Sequence, residues 1–113
     1  MQINTKKTHR NYLIMFSDGV MKIGTTSRIK KRIYELQKQK KTSSSISNLY
    51  ISDLQIKENA FRAERDTCCL LGYLKIGNKR EWMQSRHECD FDLVNKTLKM
   101  FIGGLLLNRE ARK

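Results

Sequence analysis

YLIMFSDGVMKIGTTSRIKKRIYEL, residues 12–36, decides how this chain is read. Leu13 to Phe16 is continuously apolar, and Val20 to Ile23 is apolar apart from Lys22. Ser17-Asp18-Gly19 lies between them as turn-forming residues, so the segment opens as a β-hairpin. The loop admits two registers. A two-residue Asp18-Gly19 turn puts Tyr12 and Lys22 on opposite faces. A three-residue Ser17-Asp18-Gly19 loop with Gly19 left-handed pairs Ile14 with Lys22 and Tyr12 with Gly24, which brings Tyr12 and Lys22 to one face. Thr26 or Ser27 then caps a helix predicted to run to about Lys40, with Ile29, Ile33 and Leu36 as its buried stripe. At about 100° per residue, Arg32 falls beside that stripe at its rim, while Lys30, Lys31 and Lys38 point outward.

Beyond this helix, the polar, serine-rich run Lys38 to Ser45 reads as a loop. Asn48 to Ile56 follows as a third strand in which Leu49, Ile51 and Leu54 alternate. Lys57 to about Leu74 reads as a second helix with Phe61, Cys68 and Leu71 on its apolar side. Glu64 falls among them, near Ala60. Unpaired burial of a carboxylate is costly, so Glu64 must meet an arginine, a metal or a gap open to water. Gly77-Asn78-Lys79-Arg80 turns into a short strand around Trp82, whose ring reads as core more than as a base-stacking platform. A last helix is predicted over residues 90–109, with Phe91, Val94, Leu98, Phe101, Ile102 and Leu105 facing the core. The expected fold is an α/β (α+β) domain, residues 1–113, with a flexible tail at 1–9. Its small three-stranded antiparallel sheet is flanked by helices in the order ββαβα, a short strand, then the C-terminal helix.

A chain of 113 residues carries one modest core. Twenty-three Lys and Arg against eleven Asp and Glu leave a net charge of +12, which favours polyanions and makes any nucleic-acid binding strongly salt dependent. The N-terminus has no apolar h-region, and the longest apolar run, Met100 to Leu107, is short and broken by Gly103-Gly104. With three cysteines in no paired framework, a cytoplasmic protein with no membrane contact is expected. A zinc site from Cys68, Cys69, His87 and Cys89 is disfavoured by its ligand spacing.

Cutting a phosphodiester requires a nucleophile that can lose a proton, a positive partner for the phosphate oxygens and, usually, a divalent cation on hard oxygen ligands. Tyr12 in the first strand, Lys22-Ile23-Gly24 at the end of the second, Arg32 in the next helix, Glu64 in the second helix and Arg80-Glu81-Trp82 beyond it stand in a telling order. That order resembles the GIY-YIG nuclease superfamily, in its phage-associated branch with KIG in place of YIG. Asn11-Tyr12-Leu13 stands where the family has GIY, and Lys22 where it has its second tyrosine. The resemblance spans roughly residues 10 to 84. It implies a small metal-dependent endonuclease acting on DNA. In that reading Glu64 binds one Mg²⁺ (or Mn²⁺), Tyr12 and Lys22 handle the proton of the attacking water, and Arg32 contacts the phosphate.

Arg28, Lys30, Lys31, Lys38, Lys40, Lys41 and Arg80 are the expected nucleic-acid contacts, with Glu81 beside the substrate or the site. The competing expectation is a nuclease-derived module that cleaves weakly or not at all. Such a module would bind nucleic acid or a host protein, for instance as a phage-encoded inhibitor of bacterial defence; Lys22 in place of tyrosine favours it. Leu105, Leu106 and Leu107 in sequence point to a homodimer through the last helix. Each site residue also has a plain structural alternative. Tyr12 can pack the sheet, Lys22 can guard an exposed strand edge, and Arg32 with Glu64 can form an ion pair without chemistry.

Overall fold

The hairpin closes through the longer loop. Gly19 has φ 84°, in the left-handed region that glycine enters without strain. Its N–H donates to Phe16 O at 2.9 Å, and Asp18 Oδ1 accepts from Val20 N at 3.1 Å. β1 (Lys7–Phe16) and β2 (Val20–Thr26) therefore pair with Tyr12 opposite Gly24 and Ile14 opposite Lys22, the register that places Tyr12 and Lys22 on one face. The structure is a computed structural model that describes residues 6–39, 45–76 and 79–111, with side chains to residue 38 and over 45–72, 74–76 and 82–103.

Thr26 Oγ1 accepts from Arg28 N at 3.0 Å and turns the chain into α1 (Ile29–Gln39). β3 (Ile46–Ile51) and β4 (Gln55–Ile56) follow, both antiparallel to β1. Next come α2 (Lys57–Leu70), a tight 3₁₀ turn at Gly72–Leu74, β5 (Lys75–Ile76), β6 (Lys79–Gln84) and α3 (Asp90–Ala111). The strands run β3-β1-β2-β6-β5 with β4 also on β1. This is the expected mixed α/β architecture, but the sheet has six strands, not three. The single strand predicted over Asn48 to Ile56 is broken at Ser52. There the Ser52 hydroxyl accepts from Asn11 N at 2.8 Å while Ser52 N donates to Asn11 O at 2.9 Å, so the side chain carries the ladder across the bend. β6 is the short strand expected around Trp82 and pairs with β2, whereas β5, too short to alternate visibly, forms on the edge of β6. Residues Lys7 to His9, expected in a tail, are strand because β4 pairs with them. The second helix ends at Leu70, short of Leu74, as its last turn tightens.

The pleat of β1 divides the core between two layers. Tyr12, Ile14 and Phe16 pack on one face with Leu36, Ile29 and Ile33 of α1, joined by Ile46 and Trp82. Leu13 packs on the other with Met21, Ile23 and Met83, beneath Ala63 and Cys68 of α2 and Phe91, Val94 and Leu98 of α3. Complete burial of Leu36 alone contributes roughly 2 kcal/mol. Leu49 and Ile51 oppose Ile14 and Tyr12, but at the end strand they stay exposed, as does Leu54. Tyr50 turns to the α3 side, where Lys99 Nζ lies 5.0 Å from its ring centroid. Burial and then the Asp53 carboxylate push its phenol above the usual range. Among the described residues, no helix is long and apolar enough to cross a membrane.

Asp90 secures the start of α3. Its Oδ2 accepts from Arg86 N at 2.7 Å and His87 N at 2.9 Å, a carboxylate reaching back over the incoming turn. The hydrogen bond from the Arg86 backbone, then the one from His87, holds its carboxyl below the ordinary 3.8 despite burial. A lowered folded-state value means the stabilisation is complete above 3.8 and is lost as pH falls through that lower value. Urea unfolding should therefore find Asp90→Ala less stable by about 1 kcal/mol near neutrality. The gap between the wild type and Asp90→Asn should close as the solution is acidified below the carboxylate range.

Candidate active site

Tyr12, Lys22, Arg32 and Glu64 come from four elements, and all line one cavity of about 330 Å³, with Gly24, Thr25, Thr26, Ile23 and Phe61 completing its wall. Gly24 makes room for the arrangement. A Cβ at that position would fall on Oη and Cζ of Tyr12, so the phenol lies in the space that any other residue of β2 would fill. The register sets this up, since directly opposed residues project from the same face. Arg32 Nε donates to Tyr12 Oη at 3.1 Å, which ties α1 to the hairpin at the cavity wall. Tyr12 thus packs the sheet with its ring and presents a polar atom with its tip.

Lys22 is only 5% exposed. β2 has β1 on one side and β6 on the other, so Lys22 guards no strand edge. It stands opposite Trp82, with Nζ 5.1 Å from that ring's centroid. Trp82 itself packs against the Tyr12 cluster, and so serves as core and as a seat for the lysine.

Glu64 approaches from the opposite layer. It is 7% exposed, and its Oε1 accepts from Thr25 Oγ1 at 3.0 Å. The polarity of that bond follows from backbone groups further back. Ser52 Oγ donates to Asp53 O at 2.9 Å, which uses its single proton, so it accepts from Gln55 Nε2 at 3.0 Å. The same Gln55 Nε2 donates to Asn11 Oδ1 at 2.7 Å. Asn11 Nδ2 then faces Ala60 O at 2.9 Å and Thr25 Oγ1 at 2.9 Å. Ala60 O can only accept, so the amide orientation is determined, and Thr25 takes a hydrogen bond from Asn11. Its one proton is left to donate toward Glu64, with Ala60 O a more distant acceptor at 3.4 Å. Asn11, wholly buried, links β1, β2, β4 and α2 in this way. The lone carboxylate expected on the apolar side of α2 meets a hydroxyl and an open cavity.

The other candidates divide. Arg28, just before α1, and Lys30 and Lys31 on it are exposed, and Lys38 is exposed with Nζ 4.6 Å from the Tyr34 ring centroid. Lys40 and Lys41 lie outside the described residues, as do the side chains of Arg80, Glu81 and Leu105 to Leu107. Phe61, expected among the buried residues of α2, is 43% exposed at the cavity mouth, beside His9. Cys68 is buried, whereas Cys69 and Cys89 are exposed, and among the described residues no group of three His, Cys, Asp or Glu side chains gathers to hold a metal. The cavity offers a carboxylate, two threonine hydroxyls and a phenol, and no sulfur or imidazole. These are hard oxygen donors of the kind Mg²⁺ or Mn²⁺ takes, one or two carboxylates at a time with water filling the remaining positions. Asn11, Thr25, Ser52 and Gln55 escaped the sequence reading. One signal was there: Asn11 is a polar residue two positions before Leu13, on the core-facing side of the strand.

Two substitutions test this geometry. Gly24→Ala should destabilise the domain by about 1–3 kcal/mol in urea unfolding and displace the Tyr12 ring, read by loss of the Tyr12 contacts in NMR spectra. Thr25→Val keeps the shape but removes the hydroxyl that donates to Glu64 Oε1, and should cost about 1–3 kcal/mol.

The T5orf172 domain family matches residues 4–102, a span that takes in every residue lining the cavity. No curated protein and no solved structure matches the chain. The chain belongs to the T5orf172 domain family, a nuclease-related phage domain.

Proposed function

We propose that the chain is a small metal-dependent endonuclease of GIY-YIG type that hydrolyses DNA phosphodiester bonds in the cytoplasm of a bacterium or phage-infected host. The observation that carries this reading is the convergence of Tyr12, Lys22, Arg32 and Glu64, from β1, β2, α1 and α2, on one cavity with Arg32 bonded to Tyr12. Arg32 and Lys22 are two cations against one carboxylate, a balance that draws a phosphodiester in. Arg32 supplies guanidinium donors to the phosphate oxygens as charge builds on them. Its bond to Tyr12 Oη has the polarity that lets the phenol oxygen accept or relay a proton from the attacking water. Lys22 Nζ is the second group for that task. Glu64 is the ligand for Mg²⁺ or Mn²⁺, held as an acceptor by Thr25. When bound, the metal would neutralise phosphate charge and make a bound water easier to deprotonate. The exposed Arg28, Lys30, Lys31 and Lys38 serve as backbone contacts along α1, with Lys40, Lys41 and Arg80 extending the set.

One observation favours a second reading. Lys22 replaces a tyrosine and rests on Trp82, and an ammonium seated on a π-face suits binding a phosphate as well as moving a proton. On that reading the domain binds nucleic acid or a host protein, as an inhibitor of bacterial defence would, and does not turn over.

Nicking of supercoiled plasmid at low salt separates the two. The nuclease should nick in Mg²⁺ or Mn²⁺ and stop in EDTA, Glu64→Ala should abolish the nicking, and Arg32→Ala should slow it by about 10²–10³-fold. Retardation of the DNA without nicking under any of these conditions selects the binding module.

A further inference from the structure

Phe61 is the one large apolar side chain of α2 between Lys57 and Cys68, and it stands at the cavity mouth with 43% of its surface exposed. On α2 it belongs to a stripe, since Lys57, Phe61 and Arg65 follow one another at four-residue intervals and Glu64 lies beside them. Phe61 and Glu64 form part of the active-site wall. They also form part of the wall of a second cavity of about 400 Å³, which Lys57, Glu58, Arg62 and Arg65 complete. The two spaces are thus neighbours that share the phenyl ring and the Glu64 carboxylate as a common wall. His9 lies against that ring, with centroids 5.8 Å apart and planes tilted by 51°. The outer cavity carries three cations. One of them, Arg65, lies 3.5 Å from the half-exposed carboxylate of its neighbour Asp66, a contact that water weakens and a phosphate can replace.

An aromatic face at the lip of a phosphate-cutting pocket, followed by cations about 12 Å apart along the helix axis, has the composition of a single-strand track. We infer that Phe61 is the stacking platform for an unpaired base next to the bond to be cut, and that Lys57, Arg62 and Arg65 carry the adjoining phosphates. The substrate class is therefore DNA with an unpaired nucleotide, at a bulge, flap or single-stranded end, because a base inside a duplex has no free face to offer the ring. This inference rests on the nuclease reading and specifies its substrate. It also places the nucleic-acid path along α2, whereas the sequence pointed to the basic residues in and around α1 and to Arg80.

The test is a fluorescence-anisotropy titration in EDTA at low salt, with a labelled, perfectly paired duplex and the same duplex carrying an unpaired nucleotide. The wild type should prefer the bulged DNA. Phe61→Ala should weaken its binding by about tenfold or more while leaving the paired duplex within about twofold, and Phe61→Trp should restore the preference. Lys57→Ala with Arg65→Ala should weaken the bulged DNA and flatten its salt dependence. Equal binding of the two DNAs by the wild type, or an unchanged bulge preference in Phe61→Ala, would overturn the inference; metal-dependent nicking by the same wild-type preparation would leave the nuclease reading standing. A wild type that binds and cuts no DNA overturns both.

Discussion

A left-handed residue at position 19 governs the face on which Lys22 emerges, and most of the site follows from that one backbone angle. With a three-residue loop, Tyr12 meets Gly24 and Ile14 meets Lys22. One residue of slip would send Lys22 into the α3 layer, among Leu13, Met83 and Val94, where an ammonium has no partner worth its desolvation. The hydrophobic pattern and the glycine therefore enforce the same register. That register sets Tyr12 opposite Gly24, and its phenol fills the space left by the missing side chain there.

The second constraint is the buried polar chain from Ser52 through Gln55, Asn11 and Thr25 to Glu64. Buried polar groups are tolerable only when satisfied, and here each bond has a polarity dictated by a backbone carbonyl at one end or the other. The network crosses from the β1–β4 junction to α2, and so fastens the helix that carries Glu64 to the strands that carry Tyr12 and Lys22. A carboxylate delivered from one layer and an arginine delivered from the other can then face a common cavity without either helix leaving its own side of the sheet.

Charge is distributed with the same economy. Exposed cations stand on both α1 and α2, while the cavity is lined by a single carboxylate together with Lys22 and Arg32. Cations occupy many exposed positions among the described residues, but the Glu64 carboxylate, the Arg32 guanidinium and the Tyr12 phenol line one cavity.

The sequence by itself determined the hairpin and its glycine, the basic amphipathic first helix with Arg32 at its rim, the position of Glu64 on a second helix, and the last helix from Asp90. Each is encoded within a few residues, by turn chemistry or by periodicity at 2 or 3.6. What only the tertiary structure decided depended on partners distant in the chain. β5 is a strand because β6 has an edge for it, Lys7 to His9 because β4 lies alongside, and the third strand breaks because Ser52 can bond to Asn11. Leu49, Ile51 and Phe61 carry apolar patterns that no local rule distinguishes from core, yet they are exposed because nothing in the described fold covers them. Thr25, Asn11 and Gln55 acquire their roles only when elements some thirty to fifty residues apart are brought into contact, and hydrogen-bond direction between such groups is a property of three-dimensional arrangement that no spacing along the chain records.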